Sequence, residues 1–248
     1  MRCSIISDRV LKNRLGGVNM YNTTIATYTN KTSIPIKDPY SALTHFIGII
    51  YSALLAPFIL ARAVYVQADY IAYWSLVVFM VSMVLLYTAS TLYHTLYISE
   101  RVSKVFKKID HCMISVLIAG TYTPVCLIPL RNDGGPTLLM LVWGLAIMGI
   151  VFKLCWVTCP RWISSIIYIC MGWLCVFSFP ALYRILSHAA FIWLLSGGII
   201  YTVGGVIYAL KMKVFNTISP DFGSHEVFHV FVMLGNIAQF ICVWLCIR

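Results

Sequence analysis

The stretch that decides the fold runs from Tyr87 to Pro124, YTASTLYHTLYISERVSKVFKKIDHCMISVLIAGTYTP. It reads as the end of one apolar helix, a short basic turn over 100–108, and the start of a second apolar helix near 109. Two polar groups face each other across that turn, Ser90 with His94 and Asp110 with His111. Similar apolar blocks of about 20 residues recur along the chain, the length that crosses roughly 30 Å of hydrocarbon as helix. They lie at about 42–64, 71–94, 109–130, 137–156, 162–183, 189–210 and 224–247, which predicts an all-α, seven-span polytopic membrane protein.

Composition agrees. Of 248 residues 60% are hydrophobic and 10% charged, far from the balance of a soluble domain. Residues 1–37 are polar, basic and turn-rich, and are expected to form a flexible cytoplasmic tail, with Met1 or Met20 as the start. Residues 38–248 are expected to form one membrane domain. Asn132-Asp133-Gly134-Gly135-Pro136 marks a turn between the third and fourth spans. Pro57, Pro124, Pro129 and Pro180 fall within or near span ends, where kinks are expected.

The net charge of +10 has a topological origin. With the N-terminus inside, fourteen Lys and Arg lie on the inner side and only Arg62, Arg131, Arg184 and Arg248 on the outer. That bias predicts a cytoplasmic N-terminus and an outer C-terminus in the cell membrane. No basic-aromatic pattern for nucleic acid accompanies it. The nine cysteines include no Cys-x-x-Cys, and serve as small apolar residues rather than as a metal cage.

This topology gathers His45, Ser90, His94, Asp110, His111, His225 and His229 near one membrane boundary. Alone, each has an ordinary role: Ser90 in helix packing, Asp110 as an N-cap, His45 as a core residue, His225-x-x-x-His229 as a chance pair. Together they are costly in a membrane and point to function. On a helix, His225 and His229 are offset by ~40° and ~6 Å, on one face. With His94 they make a three-imidazole set for Zn²⁺ that leaves a fourth position open, the pattern of a catalytic site. Asp110 is the candidate proton acceptor and Ser90 a hydroxyl donor to a developing oxyanion. His45 and His111 are assigned as supporting groups or substrate contacts, and Glu226 as an interfacial partner of a Lys in 104–108. No carboxylate falls at mid-bilayer, which disfavours a cation transport path.

The pieces Asp38-Pro-Tyr-Ser-Ala-Leu-Thr44-His45, Ser90-Thr-Leu-Tyr-His94, Asp110-His111, Ala119-Gly-Thr-Tyr-Thr-Pro124, Gly197-Gly-Ile-Ile-Tyr201-Thr-Val-Gly204-Gly205 and His225-Glu-Val-Phe-His229, in that order, resemble the haemolysin III family. That family lies within the group containing the adiponectin and progestin membrane receptors. The resemblance implies zinc on His94, His225 and His229, with Ser90 and Asp110 around its water. The group's alkaline ceramidases imply hydrolysis of an amide or ester bond in a membrane lipid. Asp38 stands where many relatives carry Glu. Two other readings remain: a receptor-like or membrane-homeostasis protein with structural zinc, and a membrane-damaging haemolysin (cytolysis). Membrane lipids are the expected partners, and a homo-oligomer is compatible with the sequence.

Overall fold

The computed structural model describes residues 36–212 and 222–247; the expected tail over 1–35 lies outside them. Seven helical stretches are long and apolar enough to cross a membrane, as the hydropathy blocks require. Helix α1 (Pro39–Tyr65) opens with Pro39, whose fixed φ and missing N–H suit a first turn. Helix α2 (Tyr70–Thr95) is capped by the Asp69 carboxylate, which accepts from the Ala72 amide at 2.8 Å. Asp69 also pairs with Arg131. The Ala72 amide first, and then the Arg131 guanidinium, hold its carboxyl below the usual carboxylate range.

Helix α3 (Glu100–Leu127) corrects the expected boundary at 109. Ser99 caps it by accepting from the Val102 amide at 3.3 Å, so the basic segment after Ser99 is helix and not turn. Asp110 therefore sits in the third turn of α3 and caps nothing. Helix α4 (Gly135–Cys155) follows a turn in which Gly134 takes a left-handed conformation, φ 83°, open to glycine at no steric cost. Cys155 ends this helix and Cys159 lies beyond it, so the two do not share a helix face.

The fifth span is continuous in sequence but broken in structure. It comprises α5 (Arg161–Gly172), a 3₁₀ turn (Trp173–Ser178) and α6 (Phe179–Ile185), with Pro180 starting the last piece. Proline cannot supply the N–H that would carry an α-helix through that point. Helices α7 (His188–Leu210) and α8 (Ser224–Cys246) complete the bundle.

Packing follows chain order around a ring, α1 on α2, α2 on α3, α3 on α4, α5 on α7, α7 on α8, and α8 back on α1. Large apolar side chains such as Phe58, Met140, Met148 and Ile166 face outward, as lipid-facing residues do. The interior instead holds small polar residues, Ser41, Ser52, Ser82 and Ser115 among them. The α7–α8 seam is tight: a methyl group on Gly204 would stand 2.6 Å from Phe231 Cβ. A polar relay ties four helices at the centre. Tyr51 bonds Tyr87, Asn236 donates to Tyr87, and Tyr201 donates to Asn236 at 2.5 Å. In a medium without water, such bonds have no solvent competitor, and this relay fixes α8 two turns beyond His229.

Candidate metal centre

The end of α2, the start of α1, the early turns of α3 and the start of α8 meet at one end of the bundle. His94, His225 and His229 each offer a nitrogen there, all three within 4.8 Å of one another. His94 and His229 are buried and His225 partly so. His94 Nε2 and His225 Nε2 are 3.2 Å apart. Two nitrogens on a tetrahedral ion with bonds of about 2.05 Å stand about 3.3 Å apart, so this pair already has the edge length of a zinc site.

The partners of the other ring nitrogens decide which lone pairs face inward. His94 Nδ1 is 2.9 Å from Asp38 Oδ2; a carboxylate only accepts, so Nδ1 carries the proton and Nε2 the lone pair. His229 Nδ1 is 3.1 Å from Thr44 Oγ1, and that hydroxyl spends its own proton on the Ser41 carbonyl at 2.9 Å. Thr44 therefore accepts from His229 Nδ1–H, which leaves Nε2 free. Carboxylate and hydroxyl partners of this kind orient metal-binding imidazoles and raise their basicity. The triad could hold a metal ion, and these partners orient two of its three rings; His225 Nδ1 is buried with no hydrogen-bond partner among the described residues.

Asp38 is the residue that sequence reasoning undervalued. It stands at the N-cap position of α1, yet its side chain caps nothing. Its amide donates to the His94 carbonyl at 2.9 Å while its carboxylate holds the ring, so it clamps α1 to α2 by both ends. Asp38→Asn keeps the shape but can present an amide proton to His94 Nδ1–H. We expect metal affinity to fall ten- to a hundredfold, read by competition with a chromogenic chelator.

The remaining candidates are placed as follows. His45 stacks on His229, ring centroids 3.7 Å apart, and meets Tyr87 edge-on at 5.1 Å. It is a packing neighbour of the triad. His111 donates from Nδ1 to the Lys107 carbonyl at 2.8 Å. Asp110 is 7% exposed, lies beside Ser90, and is not among the clustered nitrogen donors. Glu226 does not reach a lysine of 104–108: it accepts from Ser41 Oγ at 2.5 Å and from the Gly223 amide at 2.8 Å, locking the first turn of α8 to α1.

Below the triad an apolar cavity opens between α3, α5, α7 and α8. His45, Asp110, His111, His225 and His229 line its head, and Leu117, Val125, Tyr201, Val232 and Gln239 its walls. Its α3 wall from Asp110 to Val125 is about 22 Å long at 1.5 Å per residue. That exceeds the ~15 Å depth of one leaflet's hydrocarbon.

The sequences of known proteins are similar to this chain. The model of the haemolysin-III-related family matches residues 35–240, from Asp38 through the whole triad. The chain belongs to the haemolysin-III-related family. Hemolysin-3 homolog of Bacillus subtilis (strain 168) is 40% identical over 212 residues, covering 84% of this chain and 93% of that protein. Hemolysin-3 of Bacillus cereus is 39% identical over 217 residues, covering 87% and 94%. Every residue placed around the triad here, from Asp38 to His229, falls inside the matched haemolysin-III-related segment.

Proposed function

We propose that the chain is a zinc-dependent hydrolase of an amide or ester bond in a membrane lipid, its site facing the cytoplasm of the cell membrane. One observation carries this reading: a three-histidine cluster, two of its rings oriented by hydrogen bonds, stands at the head of an apolar cavity. The Lys and Arg bias supports the orientation.

Zinc on His94, His225 and His229 would supply Lewis-acid polarisation of a carbonyl and a water with pKa near 7. The protein's own groups do the rest. Asp110 takes the proton of the attacking water at its carboxylate. Ser90, enclosed beside it, donates to that carboxylate and holds it in place. As the C–N or C–O bond breaks, Asp110 returns that proton to the leaving nitrogen or oxygen; His111, its Nδ1–H committed to Lys107, presents an Nε2 acceptor to an N–H or O–H of that group. The apolar walls hold the acyl chain and keep bulk water from the bond.

Purified protein in neutral nanodiscs, given a panel of N-acyl and O-acyl lipids, is expected to release fatty acid; chelation should stop release and added zinc restore it. Metal-loaded protein with no turnover on any lipid would count for the second reading, a structural ion in a receptor-like protein. The clamp of α1, α2 and α8 around the triad gives that reading its support. Leakage of vesicle contents without turnover would instead favour the lytic reading suggested by the Bacillus cereus relative's name.

A further inference from the structure

A second, polar hollow adjoins the triad. His111, Ser164, Tyr208 and His225 line both it and the apolar cavity, so the two spaces meet at the histidines. The hollow is also lined by Lys107, Lys153, Arg161 and Lys211, against two acids, Asp38 and Glu226.

Those acids are already engaged. Asp38 is held by His94 and by Lys37, at 2.9 and 3.6 Å, and Glu226 by Ser41 and the Gly223 amide. The cations are not balanced in the same way. Lys153 is 2% exposed; its ammonium donates to Ser164 Oγ and lies 3.0 Å from Cys159 Sγ. Arg161 sits over the Tyr208 ring at 4.9 Å. Among the described residues, no carboxylate comes within 4.0 Å of Lys107, Lys153, Arg161 or Lys211. The positive-inside bias explains basic loops that face headgroups. It does not explain a lysine enclosed in the fold, where a cation without a counter-charge is costly.

We propose that this hollow receives the phosphate-bearing head of a single-chain acyl lipid whose tail occupies the apolar cavity. The inference rests on the hydrolase reading and names its substrate class: the bond presented to the triad lies between an apolar tail and an anionic head. Three lysines, an arginine and the Ser164 hydroxyl can pair with the oxygens of one phosphate. A neutral lipid would leave the Lys153 charge unmatched, so the site selects by charge as well as by chain.

Ether-linked probes separate binding from turnover. Full-length metal-loaded protein in neutral nanodiscs is titrated with 1-O-octadecenyl lysophosphatidic acid, 1-O-octadecenylglycerol and inorganic phosphate. The phosphate lipid is expected to bind at least tenfold tighter than the glycerol ether, with inorganic phosphate far weaker. Arg161→Gln and Lys211→Gln, at the exposed rim, should each cut the preference about threefold. Lys153→Met should remove most of it, and the rim variants keep the test open if that protein does not fold. Equal affinity for the two ethers, or an undiminished preference in the rim double variant, overturns the assignment; so does inorganic phosphate binding as tightly as the lipid. None of these readouts involves hydrolysis. A protein without turnover can still show the preference, and a hydrolase without the preference loses only this inference.

Discussion

Asp110→Asn is expected to lose lipid turnover by a factor of about 10² to 10⁴ while retaining its full complement of metal. The two halves of that result come from different features. Asp110 contributes none of the three clustered donor atoms, and the substitution is isosteric, so the triad and its partners Asp38 and Thr44 remain in place. What disappears is, among the described residues, the one buried carboxylate on the cavity wall, and an amide cannot take a proton from water. Ser90→Ala tests the neighbouring group: it removes a hydrogen bond and not a base, so its loss should be the smaller of the two. Metal per protein, measured by mass spectrometry, and initial rates on one hydrolysed lipid decide the matter. Asp110→Asn protein that keeps wild-type turnover removes Asp110 from the chemistry. Protein that loses metal as well assigns the carboxylate to the ion's immediate surroundings.

The split between these roles was only half legible in the sequence. Seven spans could be read because membrane helices write their length in hydropathy, and the charge bias then put His94, His225 and His229 at one depth without any knowledge of contacts. The limits show in particular residues. The segment after Ser99 carries Arg101, Lys104, Lys107 and Lys108, and so read as a turn by composition. The Ser99 cap and Glu100 in the first turn were the local signal that it is helix. Asp38 carries no role that its neighbours in sequence define; its partner, His94, is 56 residues away, and only the packing of α1 on α2 reveals it. Thr44 gave no signal at all, since a threonine beside a histidine is unremarkable until the imidazole of His229 lands on it. Lys153 counts in the sequence as one more inner-side cation at the end of the fourth span, because hydropathy cannot distinguish a side chain reaching toward headgroups from one enclosed between α4 and α5. The last three omissions each concern a partner supplied by another helix.

The second large effect concerns stability. His94→Ala should abolish high-affinity metal binding and lower the melting temperature in detergent by on the order of 10 °C. The reasoning is linkage: an ion that binds the folded bundle and not the separated helices stabilises it by about 4 kcal/mol when present at a thousand times its Kd. His94 carries more than a share of the ion, since its ring also anchors Asp38 and through it the first turn of α1. Removing the ring strands the buried triad nitrogens of α8 and frees α1 from α2 at that end. Chelation of the wild-type protein isolates the ion's part of this effect, because His94 and Asp38 stay paired without it. The drop on chelation should therefore be smaller than the drop in His94→Ala. His94→Ala should show almost no further change when chelator is added. Equal drops would mean that the Asp38 clamp contributes little. A wild-type melting temperature indifferent to chelator and zinc alike would mean that no ion bridges α2 and α8, and the three nitrogens would then have to be explained as a hydrogen-bonded packing cluster.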